Sequence, residues 1–195
     1  MKYFTPELYQ KFNSFDVNEA ERADEAWDRA EAAYEERIAE IRQRMPSQVV
    51  RLSELCLHDA LVVSRVEHAE PVGESSLFDE PVRKSRSFNE RPPFPLPCLW
   101  TAVAIISVTL GEEVISLIYS LSDHIKTREA PDGWRFSKLQ EQWLYDEVDL
   151  LHDPKGPFVH RILLSTGITL EISFVSVIIH RFTVPAVTKF AKQMA

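Results

Sequence analysis

The sequence contains little glycine and little cysteine, and it lacks the short motifs of several enzyme classes. Only five of its 195 residues are glycine, and it has no Walker loop, dinucleotide-binding GxGxxG, GxSxG elbow or kinase motif set. Two cysteines do not make a disulfide framework. Because Cys56 and Cys98 both lie among apolar residues, we expect buried, reduced thiols and a cytoplasmic protein.

A long uninterrupted apolar run is also missing. The candidate for a membrane span is LWTAVAIISVTLGEEVISLIYSL at 99–121, but Gly111, Glu112 and Glu113 divide it into two short β-branched runs. Two carboxylates in the centre of a bilayer would cost several kcal/mol. The pattern therefore predicts a β-hairpin and no membrane association.

Basic residues are too few to suggest a nucleic-acid-binding protein. The formal net charge is −8, whereas affinity for a phosphate backbone comes from Lys and Arg displacing counterions. The basic cluster RKSR at 83–86, with Arg91, is interpreted as a solvated part of a loop. Nucleic acid is therefore disfavoured as a partner.

The first third of the chain has a helical pattern. Apolar residues recur every three or four positions over 20–45, with Asn18 or Asp16 as the N-cap and Pro46 ending the helix. A shorter helix is predicted over 47–57. We expect these two helices to form a hairpin in an N-terminal segment, 1–58.

The remainder, 59–195, has a β pattern. The predicted strands are 59–67, 99–109, 114–122, 141–151, 158–165, 168–174 and 176–183. Gly167 marks the turn of the clearest hairpin, HRILLSTGITLEISF. The proline-rich stretch 69–97 has no period and predicts a long outlying loop. The predicted fold is α+β, a helical hairpin on an antiparallel β-meander or partial barrel of six to seven strands.

Two His-Asp pairs resemble the dyads of metal-dependent phosphohydrolases. His58-Asp59 falls where helix gives way to strand, and His152-Asp153 closes a strand. Successive side chains of an extended chain point to opposite faces, so such neighbours do not easily share one metal ion. We interpret Asp59 as a turn residue and His58 as a partly buried, hydrogen-bonded one.

An acidic residue interrupts an apolar row in the strand predicted at 141–151. Asp146 shares its side with leucine and valine, whereas Glu147 falls on the opposite side, where it can stay in water. A carboxylate in a buried row needs a partner or takes up a proton. Arg161, His160 or a loop arginine could be that partner, and a structural ion pair is favoured over a catalytic acid or base.

Three functions remain open. The favoured one is a non-enzymatic protein-protein interaction module with an unknown protein partner. The second is a metal-assisted hydrolase that would use Asp146, Asp149, His152 and His160. The third is a small-ligand-binding barrel with a deep apolar pocket. We expect no cofactor and no metal ion integral to the fold.

Four stretches of the sequence carry a resemblance to a known family. MKYFTPELY, LCLHDA, WLYDEVD and HRILLSTGITLEISF resemble a family of uncharacterised bacterial proteins. The resemblance covers most of the chain outside 69–97 and the C-terminus. It implies a helical segment followed by a β domain in a bacterial cytosolic protein, with no established activity and no functional residue to carry over.

Overall fold

The computed structural model describes residues 1–69, 102–151 and 157–183. Nearly all of the proline-rich stretch 69–97 lies outside them, as do Cys98 and the pair His152-Asp153. The helices are α1 (Pro6–Phe12), α2 (Val17–Ile41) and α3 (Ser47–Ser53), with a 3-10 turn at Arg42–Arg44. The strands are β1 (Leu61–Ala69), β2 (Ala102–Leu110), β3 (Glu113–Leu121), β4 (Lys126–Arg128), β5 (Trp143–Leu150), β6 (Phe158–Leu164) and β7 (Thr169–Thr183).

The strands form one curled antiparallel sheet. Its order is β1-β2-β3-β7-β6-β5, and the short β4 pairs with β7. The sheet begins to close on itself, because Leu61 bridges Gln142 and the Trp143 N–H donates to the Ala60 carbonyl at 2.9 Å. The predicted α+β class, with helices preceding an antiparallel sheet of six to seven strands, is confirmed. The predicted hairpin over 99–121 is also present, as β2 and β3.

The strand β7 corrects the sequence analysis. Separate strands were predicted at 168–174 and 176–183, whereas the chain runs through both as one strand of 15 residues. A register shift opposite Ser120 and Leu121 places a bulge at Val175, which breaks the alternation without ending the strand. The first half of β7 pairs with β6 and the second half with β3. This long strand therefore joins β1, β2 and β3 on one side to β6 and β5 on the other.

The helices also differ from the expected hairpin. Asp16 is the N-cap of α2 and accepts from the Asn18 N–H at 2.9 Å. The helix α1, which the sequence analysis missed, is capped by Thr5 and packs on α2 through Tyr9 and Trp27. The helix α3 packs on β7 and β5. Among the residues described, every helix is too short or too polar to cross a membrane.

The concave side of the sheet is filled by apolar side chains. Residues from the end of α2 to the turn before β1 join the inward side chains of the strands in one buried cluster. These residues are Ile41, Met45, Val49, Leu52 and Leu57. Because a small-ligand-binding barrel needs an open interior, this filling argues against that function.

Candidate functional site

Asp146 and His160, both predicted site residues, lie in one buried network of hydrogen bonds. His160 Nε2 lies 2.9 Å from Asp146 Oδ2, and its Nδ1 lies 2.8 Å from the Tyr119 hydroxyl. Trp143 Nε1 donates to the other oxygen of Asp146 at 2.8 Å. His160 and Tyr119 are fully buried, and 16% of the Asp146 side chain is exposed. Of the candidate partners of Asp146, the structure therefore places His160 in hydrogen-bond contact with it.

A β-bulge brings Trp143 into this network. The pairing of β5 with β6 shifts register between Trp143 and Tyr145. Trp143 and Asp146 consequently share the inward side of the strand, although a regular alternation would place them on opposite sides. A simple count of residues along the strand could not reveal this contact.

One arrangement of protons satisfies every group in this network. With an ionised Asp146 and a neutral imidazole, the His160 Nε2–H donates to Asp146 and the Tyr119 O–H donates to Nδ1. Burial raises the pKa of the Tyr119 hydroxyl well above its usual value, and the Asp146 charge adds to this effect. Each of these polar side chains has a protein partner, which is the pattern of a structural network.

Asp149, another predicted hydrolase residue, does not join this network. Asp149 lies on the opposite side of β5, where its carboxylate accepts from Arg37 Nε at 2.8 Å and lies 3.9 Å from Lys2 Nζ. His152 lies outside the described residues. Within the described ranges, no group of three or more His, Cys, Asp or Glu is placed to hold a metal ion.

The side of β5 and β6 that turns away from the core is covered by α2 and by residues 2–4, which we call the N-terminal tail. We call it the covered face, and it consists of Tyr145, Glu147, Asp149, Val159, Arg161 and Leu163. The hydroxyl of Tyr34, on α2, accepts from the Val148 N–H at 2.8 Å. Burial raises the pKa of the Tyr34 hydroxyl, because the phenolate form would lose its hydration there.

Glu147 corrects the expectation that it stays in water. Only 1% of the residue is exposed. Its carboxylate accepts from the main-chain N–H groups of Lys2 and Tyr3, the latter at 2.9 Å, and lies 3.6 Å from Arg161 Nη1. Phe4, the next residue, stacks on Tyr145 of the covered face. The N-terminal tail, which has no strong pattern of its own, therefore buries a carboxylate that the sequence alone assigns to solvent.

Two further predictions near the end of α3 have mixed outcomes. Asp59 lies in a turn with φ of 64°, as predicted, and His58 Nδ1 lies 3.1 Å from its carboxylate. His58 is exposed, and so is Cys56. The expectation of a buried Cys56 is wrong, because the chain leaves α3 along the surface. His58 is more exposed than expected, with 42% of its side chain in contact with solvent, although its ring contacts that of Tyr145.

On the far part of the sheet, the side that turns away from the core has no described helix over it. We call it the outer face, and its cross-strand rows follow from the strand register. They are His68, Val103, Ser120 and Ser176; Val66, Ile105, Ile118 and Ile178; Ser64, Ser107, Ser116 and His180; and Thr109, Val114 and Phe182. Several of its apolar side chains are about half exposed, including Val66 at 53%, Ile178 at 51% and Phe182 at 52%.

The outer face also lacks formal charge. None of the residues in its rows is Asp, Glu, Lys or Arg, although 27% of the whole chain is charged. Serine hydroxyls on it pair with one another, Ser107 with Ser116 at 2.9 Å and Ser176 with Ser120 at 2.9 Å. Paired hydroxyls lose less on desolvation than free ones. This surface can therefore be covered by another apolar surface at low cost.

This surface was not predicted from the sequence, although a signal for it is present there. The strands AVAIISVTL and EVISLIYSL carry apolar residues at both odd and even positions. A strand with one wet side alternates apolar and polar residues, whereas a strand buried on both sides does not. Because β2 and β3 lack this alternation, their sequences indicate that the side on the outer face also becomes covered.

Comparisons with protein-family models, with curated proteins and with solved structures gave no match to this chain. The resemblance to uncharacterised bacterial proteins therefore stays a prediction. What the chain does has to be inferred from its own surface and buried groups.

Proposed function

We propose that this chain is a non-enzymatic protein-protein interaction module that binds its partner through the outer face. The observation that carries the proposal is the row Val66, Ile105, Ile118 and Ile178, which crosses four strands without a charged neighbour in the adjacent rows. The centres of protein interfaces are depleted of charged residues in the same way. The partner is accordingly a protein surface that is itself uncharged and rich in apolar side chains.

The metal-assisted hydrolase is less well supported. His160 is fully buried and both of its ring nitrogens already have protein partners. Asp149 is held on the covered face by Arg37. A depression between α1 and residues 131–135 is lined mainly by polar and charged side chains, and neither Asp146 nor His160 lines it. The acid and histidine pair thus has no reaction partner within reach in the described part of the chain.

Two phenylalanines offer a matched test of the proposal. Phe182 lies on the outer face, whereas Phe15 lies before α2 and is 88% exposed. Each is replaced in turn by the photo-crosslinking analogue benzoylphenylalanine in cells that produce the full chain. We expect a discrete protein adduct from position 182, lost when Ile105→Lys is added, and none from position 15. Equal adducts from both positions, or none from either, would contradict the proposal.

A further inference from the structure

We infer that the partner of the outer face is a second copy of this chain, packed face to face about a two-fold axis. This inference rests on the proposed function and names the partner of the same surface. The arrangement would stack two sheets of four strands, as in a β-sandwich, with their outer faces about 10 Å apart. Each copy would then supply the cover that the other lacks.

The distribution of charge favours a copy of the same chain. Two copies of a protein with net charge −8 repel each other unless they meet where neither carries charge. The outer face is such a place. The helix α2 carries nine Asp and Glu against three Arg, a net charge of −6, and it packs on β5, at the other edge of the strand order from β1. Most of the negative charge thus lies on the part of the sheet that the two-fold contact leaves free.

The absence of charge also argues against a strongly charged partner. A partner of opposite charge is selected by complementary charges, which raise the rate of association and fix the register. The outer face offers only hydroxyl, imidazole and apolar groups for this purpose. A surface that matches it in chemistry is the outer face itself, as an isologous contact requires.

The rows suit a self-complementary contact. Ile105 and Ile118 are direct cross-strand neighbours on the two middle strands, β2 and β3. A two-fold axis near this pair places the isoleucine row of one copy across that of the other. The serine pairs in the flanking rows are short, which leaves room for the longer side chains of the opposite copy.

The size of the outer face is sufficient for a modest dimer. Four strands about 4.8 Å apart and about eight residues of about 3.3 Å give a plane of roughly 500 Å² on each copy. Two copies would bury roughly 1,000 Å² or somewhat more, since side chains roughen the plane, and this is near the lower limit for a specific interface. We therefore expect a dimer that forms and dissociates with concentration.

Sedimentation equilibrium of the purified full chain tests the inference. We expect the mass to rise from 22.5 kDa towards twice that value as concentration increases. Ile178→Lys places a charge in the middle of the contact and should raise the concentration at half-dimerisation at least about tenfold. Val66→Lys should act in the same way. Leu139→Lys, at an exposed position outside the outer face, should behave like the wild type.

The failures of the inference and of the proposed function can be told apart. A wild type that stays monomeric, together with an adduct between position 182 and a different protein, would overturn the second copy and leave the interaction module standing. A monomer without any adduct would overturn both. A dimer unaffected by both Ile178→Lys and Val66→Lys would place the contact elsewhere and overturn the inference. Binding of the monomer to neutral phosphatidylcholine vesicles, abolished by Ile178→Lys, would replace the protein partner by a lipid surface and overturn both.

Discussion

The covered face and the outer face lie on different parts of one sheet, and they differ in both cover and charge. On the covered face, Glu147 and Asp149 are buried and each has a cationic or main-chain donor from another element. On the outer face, no residue of the rows carries a charge, and several apolar side chains are half exposed. A face that the chain covers itself can hold charges, because the same chain supplies the partners.

This difference follows from which partner groups are present when the chain folds. A buried carboxylate is tolerable only when donors are fixed around it. The N-terminal tail and α2 provide such donors within one molecule. A face covered by a separate molecule is wet before association. Charges there would cost desolvation at each binding event, whereas paired serines and β-branched side chains cost little. The chemistry of each face thus indicates which kind of cover it takes.

The largest expected effect comes from breaking the covered face at its buried acid. Glu147→Gln should lower the free energy of unfolding by about 4 kcal/mol, because one buried main-chain N–H meets an amide NH₂ and the other loses its bond to a charged acceptor. Arg161 also loses one of two counter-charges, although it keeps Glu171, whose carboxylate accepts from its Nε at 2.8 Å. Urea denaturation followed by circular dichroism measures this. Glu25→Gln, on the exposed side of α2, is the control and should change stability by less than about 0.5 kcal/mol. A loss below about 1 kcal/mol for the Glu147 variant would mean that the contacts of the N-terminal tail with Glu147 contribute little to stability.

Gly167 and Gly111 both adopt a positive φ, so replacing each by alanine compares the packing around two turns of the sheet. Gly167 has φ of 82°, and an added Cβ would lie 2.6 Å from the Ala130 Cβ and from Trp134. Gly111 has φ of 63° in the β2–β3 turn, with nothing within 4 Å. Gly167→Ala should cost about 3 kcal/mol, since strain and overpacking add, and Gly111→Ala about 1 kcal/mol, from strain alone. Equal losses in thermal denaturation would mean that the residues before β5 do not hold the β6–β7 turn.

The buried network should respond less strongly than the covered acid. Asp146→Asn leaves one carbonyl oxygen for two donors, Trp143 Nε1–H and His160 Nε2–H, so one of them faces an NH₂ group. We expect a loss of about 2 kcal/mol in the free energy of unfolding. An unchanged or higher melting temperature would instead indicate a site kept for function at the expense of stability.

Alkaline pH should weaken the core and the covered face. Burial raises the pKa values of Tyr119 and Tyr34 in the folded chain above the usual value of 10.0. The folded state therefore keeps protons that the unfolded state releases, so stability is full below about pH 10 and falls as the pH rises above it. The loss should be about 1 kcal/mol for each pH unit and each tyrosine. Tyr119→Phe should reduce this slope, and an equal slope in the variant would contradict the assignment.

The smallest effect is expected on the outer face. Ile178→Ser should change the stability of the monomer by less than about 0.5 kcal/mol, because half of the side chain is already exposed. Leu163→Ser on the covered face is the matched change and should cost about 3 kcal/mol, since Leu163 is fully buried. Chemical denaturation at low protein concentration gives both values. Similar losses would mean that the outer face belongs to the core of the monomer.

The sequence predicted the features that depend on local pattern. The helical period around Trp27, the hairpin turn at Gly167 and the apolar runs on either side of Gly111 all appear where expected. The partnership of Asp146 with His160 could also be predicted, since a carboxylate in an apolar row requires a nearby donor.

The features that failed depend on contacts between distant parts of the chain. Glu147 is buried by Lys2 and Tyr3, which are 145 and 144 residues away in the chain, and no local pattern indicates that contact. The bulge at Val175 resembles the end of a strand in sequence, because it breaks the alternation as a turn does. Asp149 is a different case: the hydrolase alternative grouped it with His160 by residue type, although the local alternation along β5 already turns it to the opposite side.

The melting temperature as a function of protein concentration tests the central claim most directly. That claim is that the outer face serves association, while the covered face serves folding. If the outer face binds a second copy, the melting temperature of the wild type should rise with concentration, because dimerisation stabilises the folded state by mass action. Ile178→Lys should melt at one temperature throughout, equal to that of the dilute wild type. A wild-type melting temperature independent of concentration, or an Ile178→Lys variant that melts lower than the wild type even when dilute, would contradict the account.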